Sequence, residues 1–486
     1  MNLFSSLFLA LAILAPGESA AEAPPRAAAF LEAIRAGDPD VTLQFVRKEF
    51  DPEDLKRMPA EPRARRLAGV GREHPGLAFI RVIQESPRQL RFLARDANNR
   101  YVEIALELSP ESHGILGVDL APADESTGKP VDAKASDAEA AAAARAWIDE
   151  LAGKDQFSGS VLVARDGKPF FEGAWGMADR EKKIANRPDT SYNLASIGKI
   201  FTQVAIAQLA AKGKLALTDT ISKHLPDLPV PSSDKITIQQ LVTHSSGMGD
   251  IFGEKYFQAP ASSLKRLSDY VPFFANVPLQ FEPGSGNSYS NAGYVVLGLI
   301  VEKVSGKEFH EYVRENIFVP AGMKDSGPYE PQVAVANRAI GYTLRGPGGP
   351  GAPQPVTANL PARNSSAGGS RSTAPDLLRF DQALRADRLL PRAWTDWIFS
   401  NRPGARAKNP GEAAGRSGAL AIAGGSPGVS TAMDMNLDTG TTIIVLTNMD
   451  PQVSERVLSR IRQWLPKGQS IVGSRWSIVQ GRACST

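Results

Sequence analysis

Cysteine is almost missing from this chain: the only one among 486 residues, Cys484, stands third from the C-terminus. No disulfide can close within the chain, so stability rests on burial of apolar surface. Histidine is scarce too, and His74, His113, His224, His244 and His310 fall without an i, i+4 pair or a cysteine companion. That spacing gives no metal site, and no cofactor is expected. A formal net charge of +3 with no dense basic run excludes the electrostatic footprint of a nucleic-acid binder. Long apolar runs are lacking beyond Leu3 to Leu14, which is shorter than the roughly 20 residues a bilayer span needs.

That first run has a use of its own. Ser19-Ala20-Ala21 follows it with small residues suited to a signal peptidase, so residues 1–21 are expected to be an export signal. The segment carries no Lys or Arg before Arg26, leaving the terminal amine as its positive charge. No cysteine follows the run, which excludes a lipoprotein anchor. The expected location is therefore periplasmic or secreted, with no stable membrane anchor once the signal is removed.

What is present reads as two domains. Residues 26–121 are expected to form a small α+β domain, with helices near Ala27 to Ala36 and Asp51 to Met58. Strands are expected at Leu77 to Ile83, Gln89 to Arg95, Tyr101 to Leu108 and Gly114 to Leu120. Residues 122–135 carry Pro, Gly, Ser and Lys and read as a linker. The second domain, 136–466, opens on Ser136-Asp137-Ala138-Glu139, a capping box for an alanine-rich helix, followed by a hairpin around Asp166-Gly167. Its middle is mostly helical, and Thr441 to Leu446 and Val453 to Leu465 read as a late strand and helix. A sheet drawing strands from both ends of the domain would place a site between itself and a helical lobe. The tail 467–486 gives no signal.

Chemistry concentrates at Ser196-Ile197-Gly198-Lys199 and Tyr289-Ser290-Asn291. The Ser-x-x-Lys spacing alone decides little, since Ser126/Lys129, Ser232/Lys235 and Ser262/Lys265 share it. Only Ser196 heads a long apolar helix, running through Ile200, Phe201, Val204, Ile206 and Leu209 to Lys212-Gly213. If that helix begins near Ser196, residues three apart share a face and the Lys199 ammonium sits beside the hydroxyl. The lone Tyr-x-Asn of the chain lies between the turn Phe281-Glu282-Pro283-Gly284 and an apolar helix from Tyr294. A phenol beside an ammonium has its pKa lowered, so Tyr289 is expected to serve as a base toward Ser196. Asn291 offers a donor and an acceptor to substrate or lysine.

With these motifs in this order, the chain resembles the serine β-lactamase-related family of class C β-lactamases, D-alanyl-D-alanine carboxypeptidases and β-lactamase-fold esterases. The likeness runs from about Phe157 to about Leu465. It also includes Leu241-Val242-Thr243-His244-Ser245-Ser246-Gly247-Met248, Gly368-Gly369 with Ser372-Thr373-Ala374, and Val445-Leu446-Thr447-Asn448. The resemblance implies a catalytic domain of antiparallel sheet flanked by helices plus an all-helical lobe, preceded by a small α+β domain of cystatin-like or nuclear-transport-factor-like shape. It makes Ser196 the acylated nucleophile, Lys199 and Tyr289 proton carriers, and Asn291 a substrate-positioning residue. His244 corresponds to a structural turn.

One position departs from the family pattern. Ile422 stands where a His or Lys is usual, in Ile422-Ala423-Gly424-Gly425-Ser426-Pro427-Gly428. An isoleucine makes no charge-assisted hydrogen bond to a substrate carboxylate. Arg416 and Lys408 are nearby cations in the sequence. By the same resemblance, the Gly425 and Ser196 N–H groups form an oxyanion hole. The expected function is an exported serine hydrolase acting through an acyl-enzyme on a small-molecule or peptide ester or amide. The alternative is an inactive binding module for peptidoglycan or a partner protein.

Overall fold

In a computed structural model, the chain is described over residues 22–35, 37–57, 59–109, 111–123, 125, 133–344, 353–356, 360–400, 410 and 418–466. The expected signal segment, the C-terminal tail, Lys408 and Arg416 lie outside these residues. The chain divides into two units, Met1–Pro130 and Val131–Thr486.

In the first unit, helices α1 (Pro25–Arg35), α2 (Pro39–Glu49), α3 (Pro52–Arg57) and α4 (Ala60–Glu73) precede strands β1 (Ala78–Ser86), β2 (Gln89–Arg95), β3 (Tyr101–Leu108) and β4 (Ile115–Ala123). The strands form an antiparallel meander in chain order. Alternate residues of the central strands, Leu90, Phe92 and Ala94 with Val102, Ile104 and Leu106, supply the core with Phe30 and Ile34 of α1. The sequence pattern had signalled two helices; α2 and α4 are additional. The buried face of α4 consists of small residues and one leucine (Ala60, Ala64, Leu67, Ala68, Gly71), so it shows no run of large apolar side chains in sequence. Gly71 is needed there because a Cβ would run into the backbone at Ile34.

The second unit is built on a five-stranded antiparallel sheet in the order Ala419–Ser426, Val429–Asn436, Thr441–Thr447, β5 (Gly159–Arg165), β6 (Lys168–Trp175). Strands from both ends of the unit meet at the pairing of Thr441–Thr447 with β5. Both faces of these central strands are covered, which is why they read as continuous apolar runs. Val161, Val163, Ile443 and Val445 pack against α5 (Asp137–Gly153) and the helix Val453–Trp464. Leu162, Ala164, Ile444 and Leu446 face the main core of the helical lobe. The Ser136 hydroxyl caps α5 by accepting from Glu139 N at 3.2 Å, while the Glu139 carboxylate reaches Ala135 N at 3.0 Å rather than Ser136. Asp166 and Gly167 adopt φ +48 and +74, the left-handed pair a two-residue hairpin requires. The lobe's central helices, α6 (Lys199–Ala211) and Asn291–Ser305, are buried along most of their length.

Candidate active site

Ser196 lies not on an α-helix but on a 3-10 turn, Ala195–Gly198, that leads into α6. Residues three apart eclipse in this tighter winding, which places Lys199 directly beside Ser196. Lys199 Nζ donates to Ser196 Oγ at 3.1 Å. The turn is clamped from outside. Ala195 holds φ +44, its N–H donates to Asn193 Oδ1 at 2.9 Å, and its carbonyl accepts from Gly369 N at 2.8 Å. A Cβ on Gly198 would stand 3.2 Å from Gly368 Cα, and one on Gly368 would stand 2.6 Å from Ala195 O, so backbone meets backbone here.

Only 6% of Lys199 is exposed, and its Nζ has two further acceptors, Asn291 Oδ1 at 2.7 Å and the carbonyl of Ala367. Burial lowers its pKa to about 7, with the Asp250 carboxylate pulling the other way. Tyr289 OH donates to Ser196 Oγ at 2.7 Å. Although 47% of Tyr289 is exposed, its partial burial pushes the phenol above its ordinary value, against the opposing effect of its hydrogen bond to Ser196. The expectation of a phenol lowered by an ammonium is thereby corrected. A lysine that titrates near 7 lends little positive field, and desolvation wins at the tyrosine.

The turn after Ile238–Val242 fixes Tyr289. His244 stacks against the rings of Tyr289 and Tyr294, with centroids 4.6 and 5.0 Å away, and its Nδ1 accepts from Ser290 N at 3.1 Å. Burial, with Lys199 adding to it, brings the imidazole down to about 4, so at neutral pH the ring is an uncharged spacer. Asn287 Nδ2 donates to Thr243 O at 2.7 Å and Ser288 N to His244 O at 2.9 Å, stitching the two loops together.

Two members of this network had no local signal in sequence. Asp250 accepts from Asn291 Nδ2 through both carboxylate oxygens, at 3.0 and 2.9 Å, and so turns Asn291 Oδ1 toward Lys199. The Ala367 carbonyl reaches Lys199 across 168 residues of chain, beside the Gly368-Gly369 pair that the sequence does display.

The edge strand Ala419–Ser426 supplies the facing wall. Gly424 is buried against the nucleophile turn, where a Cβ would stand 2.8 Å from Ser196 N. Thr431 Oγ1 donates to Leu194 O at 2.9 Å and Gly424 O at 3.2 Å, tying strand and turn together. Ile422 shares the face of Gly424 by strand alternation and packs, half-buried, on the main core. Gly425 follows on the edge strand and is exposed.

The family model for beta-lactamase matches residues 144–465. The chain belongs to the beta-lactamase family. Penicillin-binding protein 4* of Bacillus subtilis (strain 168) is 30% identical over 339 residues, covering 62% of this chain and 70% of that one. The crystal structure of a penicillin binding protein from Bacillus halodurans superposes with a TM-score of 0.58 at 30% identity, over 65% of this chain and 99% of its own. The D-amino acid amidase from Ochrobactrum anthropi SV3, complexed with D-phenylalanine, shares the fold at 24% identity, with a TM-score of 0.55 over 67% of this chain and 99% of that one. This beta-lactamase-family chain is thus an α+β protein of the β-lactamase and penicillin-binding-protein fold. It carries a small additional α+β unit at its N-terminal end.

Proposed function

We propose that this protein is an exported serine hydrolase whose Ser196 is acylated by an uncharged ester or amide. The observation that carries the reading is the disposition of Lys199. Lys199 Nζ donates to Ser196 Oγ at 3.1 Å, to Asn291 Oδ1 and to the Ala367 carbonyl; the last two groups can only accept, so on loss of a proton it is the position facing Ser196 that becomes the amine's lone pair. With a pKa near 7, Lys199 is substantially neutral at physiological pH and takes the Ser196 proton as Oγ bonds to the carbonyl carbon. Tyr289, a phenol at that pH, passes its proton to the departing alcohol or amine, and the proton that Lys199 took from Ser196 restores the phenol. Water then attacks the acyl-enzyme by the reverse proton path. The N–H groups of Ser196 and Gly425 are assigned to the oxyanion, a contribution of about 3 kcal/mol per donor.

The substrate class follows from the facing wall. Ile422 offers no charge to a substrate carboxylate, which favours an uncharged acyl donor over a penicillin or a D-alanyl terminus. The unbroken chain Asp250, Asn291, Lys199, Ser196, Tyr289 supports catalysis over a binding module, since a binding surface has no chemical need for an amine aimed at a hydroxyl. Export is proposed on the leader sequence alone. Intact-mass measurement after incubation with p-nitrophenyl acetate and, separately, with a penicillin tests the reading. Wild type is expected to form an acyl adduct or release p-nitrophenol from the ester, and Ser196→Ala to do neither; a folded protein inert to both donors would overturn it.

A further inference from the structure

Among the described residues every aromatic side chain is buried or half-buried except Phe252, Phe257 and Tyr289, which are 51%, 74% and 47% exposed. Hydrogen bonds and ring contacts tie all three to one network. The Tyr289 hydroxyl is on Ser196. Phe252 N donates to Asp250 Oδ1 at 3.3 Å, and that same oxygen accepts from Asn291 Nδ2 at 3.0 Å, so the backbone that carries Phe252 is one hydrogen bond from the network around Lys199. They are not loose. Tyr256 meets Phe252 edge-on at 4.9 Å and Phe257 at 5.5 Å, and rests in turn on Phe273 at 5.3 Å. Phe273 leans on Tyr270, which is 2% exposed, completing a row of rings from core to solvent. The short helix that carries Tyr256 and Phe257, Glu254–Gln258, buries none of its residues.

Large apolar rings held in water on a segment hydrogen-bonded to the site mark a contact surface. We propose that Phe252 and Phe257 form a subsite for an alkyl or aryl group flanking the scissile carbonyl, so that the substrate is an uncharged ester or amide with an extended apolar chain. This rests on the reading of Ser196 as the nucleophile. Continuity with the network around Lys199 argues for substrate as the occupant. The charges of the stretch Asp250 to Gln258 are Asp250, Glu254 and Lys255, an acidic balance that suits neither an anionic lipid surface nor a carboxylate-bearing substrate.

The test compares p-nitrophenyl acetate, butyrate and octanoate, and separately ethyl, butyl and octyl acetates, in wild type and in Phe252→Ala/Phe257→Ala. In wild type, kcat/KM is expected to rise about tenfold or more along one series, as burial of added methylenes predicts, and the series that responds identifies whether the acyl or the alcohol side is held. In the double variant that gain is expected to collapse toward one. A gain that survives the double substitution, or no gain in either series, overturns the proposal. So does a double variant that loses binding to phosphatidylglycerol vesicles while keeping its chain-length gain. Calorimetric titration of Ser196→Ala with the octanoyl and acetyl esters, with and without the two Phe substitutions, reads the subsite without turnover. A wild type inert to acetate would sink the assignment of the nucleophile while leaving this binding comparison decisive for the subsite.

Discussion

The helical side of Ser196 is lined by polar side chains that hold one another in place, Lys199, Tyr289, Asn291 and Asp250. On the strand side, Ala419–Ser426, the turn meets a glycine backbone and the hydrocarbon of Ile422. The contrast separates two tasks that one residue can share when the strand carries a cation. On the proposed function, proton transfer belongs to the helical wall, and the strand wall is left with shape and backbone dipoles.

Substitutions on each wall should therefore fail differently. The largest loss is expected from Lys199→Ala, about a thousandfold or more in kcat/KM for p-nitrophenyl acetate, in the range of a removed general base. The wild-type pH profile sharpens this. Because Lys199 acts as the neutral amine, kcat/KM should rise with pH and level off above about 7, and that limb should be missing from the residual activity of the variant. A limb that persists in Lys199→Ala would move the base to another group.

Gly424→Ala comes next. Its methyl would lie 2.8 Å from Ser196 N and push the turn from its seat, with an expected loss of about a hundredfold in kcat and little change in the pH limb. Ile422→Lys should change preference more than rate. A cation on the strand wall is expected to speed acylation by a penicillin about tenfold, measured by intact mass against time, without a matching gain for the neutral ester. The smallest effect is expected at Asp250→Asn. Asp250 raises the pKa of Lys199, so removing its charge lowers that pKa further and moves the acidic limb of kcat/KM to lower pH. A severalfold loss at the plateau should accompany the shift as Asn291 loses its fixed orientation. A limb that stays in place would show that Asp250 is only a strut.

Legibility in sequence followed the range of each interaction. The pair Ser196 and Lys199 was visible because only two residues separate its members, and Tyr289 with Asn291 because a turn and a capped helix frame them. Asp250 was passed over since its partner lies 41 residues away and a lone aspartate after a turn carries no spacing signal. The state of the phenol was misjudged for a related reason. Proximity to lysine is written in the chain, whereas the burial that strips the lysine of its charge is a property of the folded lobe. Likewise the apolar strands announced the sheet, but α4 buries alanine and glycine with a single leucine, and so lacks the large apolar residues by which a helix such as α6 was read.

The meeting of early and late strands bears on how the protein comes into being. Ser158 Oγ and Asn448 Oδ1, 2.8 Å apart in the finished molecule, are separated by 290 residues. The strands of β5 and β6 are synthesised first and stay without the neighbour that covers their open edge until nearly the whole unit has been made. Closure of the sheet is thus a late, long-range event, and the seat of Ser196 against Gly424 is assembled only then. A chain truncated before Thr441 would keep the Ser-x-x-Lys sequence and the strand Ala419–Ser426, and would lack the strand that joins that wall to β5.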